Sequence, residues 1–84
     1  MHEATIAQYA FDIINETINT TPEIKGKKIK KITFGIGKPY TVMKESFEFY
    51  FSELIKGTNM ENSEREYEKS ELTGFFVSSL DLED

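Results

Sequence analysis

The chain has one histidine, His2, preceded by Met1 and followed by Glu3. A terminal amine, successive backbone amides and an imidazole then lie within a few bonds of one another. Ni(II) and Cu(II) favour a tetragonal, nitrogen-rich plane, which such a segment supplies once its amides are deprotonated. No folded pocket is required. The plainer reading of the same stretch is a frayed terminal residue.

Most other chemistry is closed by composition. With Cys at 0, a disulfide scaffold, a thiolate zinc site, an iron–sulfur cluster and a thiol nucleophile are excluded. A single histidine also leaves no Ser-His-Asp arrangement to assemble. Gly35-Ile36-Gly37 lacks the third glycine of a dinucleotide fingerprint and reads as a strand end and turn. Glu45 and Glu48, three residues apart, have the form of an acid and base pair. Such pairs are common on exposed helix faces, and the chain reads as a non-enzyme.

The elements that must position these residues follow from the hydrophobic spacing. From Thr5 to Ile18, Ile6, Tyr9, Ala10, Ile13, Ile14 and Ile18 recur at three and four residues, which predicts an amphipathic helix. Thr5 with Gln8 has the form of a capping box at its start. Thr20-Thr21-Pro22 ends it, because proline disfavours helical geometry in the residue before it. From Lys28 to Ile36 the period becomes two, with Ile32, Phe34 and Ile36 on the buried face of a strand. Val42, Met43, Phe47, Tyr50, Phe51, Leu54 and Ile55 then resume helical spacing for about four turns, up to Lys56-Gly57, where the glycine suits a left-handed position. Residues 64–72 read as a weak outer strand. Phe75 to Leu82 read as a better one, with Phe76, Leu80 and Leu82 on one face and Phe75 and Val77 opposite. Gly74 between them predicts a tight hairpin.

The expected architecture is α+β, with two helices packed on one face of a three-stranded mixed β-sheet in the order α-β-α-β-β. At 84 residues there is room for one domain. The net charge of -5 argues against nucleic acid as a partner. Its distribution is uneven: residues 25–60 carry eight lysines against three glutamates, whereas residues 61–84 carry eight acids against Arg65 and Lys69. The Lys25, Lys27, Lys28, Lys30 and Lys31 cluster reads first as a solvated face, and second as a docking patch for an acidic protein. No stretch approaches the length of a membrane span or has the form of a signal peptide, so the expected location is cytoplasmic.

Beyond these readings, the order of several short motifs resembles a known family. Met1-His2-Glu3, Ile6-Ala7-Gln8, Ile36-Gly37, Glu45-Ser46-Phe47-Glu48-Phe49, Lys56-Gly57-Thr58 and Phe76-Val77-Ser78-Ser79-Leu80-Asp81-Leu82-Glu83 together look like the HypA/HybF hydrogenase maturation proteins, metallochaperones that help insert nickel into [NiFe]-hydrogenases. The resemblance implies Ni(II) bound at the amino terminus by His2 (imidazole and backbone nitrogen), Glu3 (backbone nitrogen) and the Met1 amine. It links the Glu3 carboxylate to partner contacts or tuning of the site. It also implies a nickel-handling GTPase and the hydrogenase large subunit as partners, with urease maturation proteins in some organisms.

One departure is large. The family carries a zinc domain with two Cys-x-x-Cys pairs between its last two strands, and here Leu72-Thr73-Gly74 passes directly to Phe75-Phe76-Val77. The expectation is therefore a single nickel-binding domain over 1–84, with the zinc domain deleted at a junction near 73–76 and no zinc in this chain. A hinge shortened in this way can encourage exchange between copies, so a homodimer or domain swap is among the expected states. The rival functional reading is a metal-independent protein-interaction module on the same fold.

Overall fold

The computed structural model describes residues 2–83. Helix α1 spans Glu3–Thr20 and stops where Thr21, ahead of Pro22, takes an extended conformation (φ -108, ψ 102). Strand β1 (Ile29–Lys38), helix α2 (Lys44–Leu54), and strands β2 (Glu64–Thr73) and β3 (Phe75–Leu82) follow. The expected α+β order is the observed one, and α2, at 11 residues, is about three turns rather than four.

Strand β1 is the most buried of the three and lies in the middle of the sheet, in the order β2-β1-β3. Its Ile32 and Phe34 meet Ala7, Ala10, Ile14 and Ile18 of α1 and Phe47 and Phe51 of α2 in one buried core. The Phe34 ring lies at its centre, 4.9 Å from Phe47, 5.3 Å from Phe51 and 5.4 Å from both Tyr67 and Phe75. Met60, in the loop after α2, is also fully buried there. The opposite face of the sheet is polar: Lys31 Nζ lies 3.3 Å from Glu66 and 4.0 Å from Asp81, and the Phe76 ring covers Gly35.

Three local expectations are corrected. The α1 start is His2, whose carbonyl accepts from the Thr5 and Ile6 N–H groups, so Thr5 lies inside the helix and caps nothing. Gln8 hydrogen-bonds Asp12 instead. The proposed capping box fails because the cap lies three residues earlier, at His2. Next, β2 and β3 do not form a hairpin: β1 pairs with β2 in parallel and with β3 in antiparallel fashion, so they flank it on opposite sides. Gly74 carries the chain across the end of β1, donating to Lys38 O (3.0 Å) and accepting from Gly37 N (2.7 Å), at φ 93, where a side chain would be strained. A Cβ on Gly37 would overlap the Leu72 and Gly74 carbonyls, so this crossing also needs a glycine beneath it.

The faces of β3 also differ from the simple alternation. Thr33 pairs with Ser79 and Phe34 with Val77, leaving Ser78 as a bulge. That extra residue reverses the alternation, so Phe75 and Val77 join Leu80 and Leu82 against the core while Phe76 lies on the open face.

Candidate functional site

His2 is exposed at the entry to α1, in extended geometry (φ -87, ψ 116), and makes no side-chain capping bond. The first four N–H groups of a helix have no intrahelical acceptor. The helix ladder therefore leaves the His2 and Glu3 amides free while fixing their order in space. Met1 lies outside the described residues, so its part in the ligand set rests on the resemblance.

Glu3 opens the first turn of α1 and is half-buried. Its Oε2 accepts the Met43 N–H at 3.3 Å, and Met43 is the residue that caps α2. The Glu3 carboxylate thus sits between two helix starts, where the macrodipoles favour negative charge. The sequence gives no direct signal for this contact: helical spacing runs through Val42 and Met43, whereas α2 begins after Met43, which has no capping side chain of its own.

Among the described residues, no group of three or more His, Asp or Glu side chains is placed to hold a metal ion. Next to His2 runs an open groove of about 680 Å³, walled by Ile6 and Tyr9 of α1, by Pro39 and Val42, and by Gly74 and Phe75 at the β2 to β3 crossing. Sequence spacing missed this groove, because its three walls are far apart in the chain.

The carboxylate pair is not assembled. Glu48 accepts from Arg65 Nε (3.1 Å) and from the Tyr67 hydroxyl, whereas Glu45 stands exposed. Burial alone would raise the Glu48 pKa, but the bonds from Arg65 and Tyr67 outweigh it and hold the carboxyl below its ordinary value. The same Glu48 bond keeps the Arg65 pKa raised, and burial followed by the Glu48 contact pushes the Tyr67 hydroxyl far up. This is a clamp between α2 and β2, and neither glutamate lines the grooves beside α1.

A family model described as hydrogenase/urease nickel incorporation, metallochaperone, hypA matches residues 1–75. The chain belongs to the HypA family. Its members are nickel metallochaperones of hydrogenase and urease maturation, not enzymes as a class. Among solved structures, the fold is similar to the solution structure of the Ni metallochaperone HypA from Helicobacter pylori. The TM-score is 0.66 at 15% identity, covering 94% of this chain and 72% of that one. At that identity the likeness is one of fold. No curated protein matches the chain. No helix among the described residues is long and apolar enough to cross a membrane.

Proposed function

We propose that residues 1–84 form a single nickel-binding domain that captures Ni(II) at its amino terminus and delivers it during [NiFe]-hydrogenase maturation in the cytoplasm. The ligands are the His2 imidazole and backbone nitrogen, the Glu3 backbone nitrogen and the Met1 amine. The observation that carries this reading is an exposed His2 at a helix entry whose first amides have no helical acceptor, in a chain of the HypA family. Ni(II) held by two deprotonated amides is formally neutral, so the positive end of the α1 dipole does not oppose it. Deprotonated ligands also make the cargo releasable, because affinity falls as pH drops and the nitrogens regain protons.

The receiving partners are a nickel-handling GTPase and the hydrogenase large subunit, or urease maturation proteins where urease is the target. A zinc lobe has no place in this mechanism. The chain holds no cysteine, and Gly74 alone joins β2 to β3 at the proposed junction near 73–76.

Titration with Ni(II), read by calorimetry and by metal content after desalting, tests the site. Wild-type protein is expected to bind near one equivalent, and His2→Ala or acetylation at Met1 to weaken binding by more than about tenfold with an unchanged circular dichroism spectrum. Unchanged affinity in both would overturn the assignment and favour the metal-independent interaction module.

A further inference from the structure

Both helices cover one face of the sheet, and among the described residues no element covers the other. Register fixes what that open face presents. Lys31, Thr33 and Gly35 of β1 alternate with the core-facing Ile32 and Phe34. On one side of them stand Glu64, Glu66 and Glu68 of β2, and on the other Asp81, Ser79 and Phe76 of β3.

The three glutamates are exposed and recur at alternate residues, about 7 Å apart along the strand. Guarding a sheet edge needs charge of either sign, and lysine serves best. A row of one sign instead repels itself. Lys31 is the only ammonium on these rungs, and it is shared between Glu66 at 3.3 Å and Asp81 at 4.0 Å. Glu64 and Glu68 form no ion pair among the described residues.

The middle of the face is not acidic. The half-buried Phe76 ring lies over Gly35 and adds apolar surface. Thr33 is 7% exposed, and its hydroxyl has no hydrogen-bond partner among the described residues. Every fully buried side-chain oxygen among them is paired, so this hydroxyl opens onto the face.

We propose that the open face receives a basic amphipathic helix of a partner protein as a third layer, with its cationic stripe along Glu64, Glu66 and Glu68 and its apolar stripe on Phe76. A helix lying along the strands repeats a side chain every four residues, about 6 Å, close to the spacing of the glutamates. Cations on successive turns can therefore each meet a carboxylate, and a polar side chain between the stripes can reach the Thr33 hydroxyl. The carboxylates stand in line and do not converge, and no group of three is placed to hold a metal ion among the described residues. Their sign repels phosphate polymers. Helix α1, which carries the amide nitrogens of the nickel proposal, lies on the opposite side of the sheet, so this docking needs no metal.

Fluorescence anisotropy on nickel-free protein in about 0.1 M salt tests this with a dye-tagged helical peptide whose arginines form one stripe beside a leucine stripe. The comparison is a peptide of the same composition with the arginines scattered around the helix. Wild type is expected to bind the striped peptide at least about tenfold more tightly than the scattered one. Glu64→Gln/Glu66→Gln/Glu68→Gln is expected to weaken that binding by more than about tenfold. Glu16→Gln/Glu23→Gln/Glu45→Gln removes the same charge from exposed positions elsewhere and should weaken it by less than about threefold. Both triple variants should keep the wild-type circular dichroism spectrum. Equal affinities in the two triple variants would reduce the attraction to net charge and overturn the proposal. So would a wild type that does not distinguish the two peptides, or one that binds neither below about 1 mM.

Discussion

On one side of β1, strand β2 is locked to α2 by Glu48, which takes hydrogen bonds from Arg65 and Tyr67, and its outer edge is lined with charge. On the other side, β3 meets α1 through apolar side chains and leaves Tyr9 and Ile13 in water. The α2 and β2 half satisfies its own polar groups and guards its own edge. The α1 and β3 half leaves its edge without charge from Phe75 to Leu80, and it holds His2 at one end. The difference separates a part of the molecule closed by polar contacts from a part whose outer edge is apolar and open to solvent.

The two halves share one ring. Phe34 touches Phe47 and Tyr67 on the closed side and Phe75 on the open side. Phe34→Ala is expected to cost about 3–5 kcal/mol, much of the stability of a domain this small. Urea titration should show a lower midpoint with an unchanged slope. A loss below about 1 kcal/mol would mean that each half holds itself together without the shared ring.

Glu48→Gln should act on the closed half alone, at about 1–2 kcal/mol. The low end of that range is expected because the side chain keeps 32% of its surface in water. In the folded protein the Glu48 pKa is depressed. Its contribution is therefore present above the pKa it has when unfolded and is lost as pH falls through the lower, folded value. The gap between wild type and Glu48→Gln should be constant near neutral pH and close on acidification through the carboxylate range. A gap that does not change with pH would assign the loss to packing and not to the ionised clamp.

This contrast between halves was only partly legible in the chain. Both helices and β1 follow from spacing, because a buried stripe imposes its period locally. The placement of β2 and β3 on opposite sides of β1 does not, since Gly74 suits a crossing as well as a hairpin and the choice lies in pairing of both strands with β1, which is remote in sequence. Alternation alone places Phe76 on the wrong face because the Ser78 bulge is created by pairing with Thr33 and Phe34, not by neighbours in sequence. Tyr9 and Ile13 read as core for a related reason: periodicity reports an apolar stripe but not how much of it the rest of the chain covers. At the site, His2 was legible as chemistry, whereas the anchoring of Glu3 on Met43 required knowing that two helix starts meet.

That anchor gives the smallest effect. Glu3→Gln keeps an oxygen able to accept the Met43 N–H but removes the negative charge from between the two helix starts, a loss of about 0.3–1 kcal/mol. Thermal melts at low and high salt should show the loss shrinking as salt screens it. Nickel affinity should stay at the wild-type value, because the proposed ligand from this residue is its backbone nitrogen. If Glu3→Gln instead weakened nickel binding as much as His2→Ala, the carboxylate would have to leave Met43 to reach the metal. Cargo loading would then loosen the contact between α1 and α2, and the open half would signal its nickel state to the closed one.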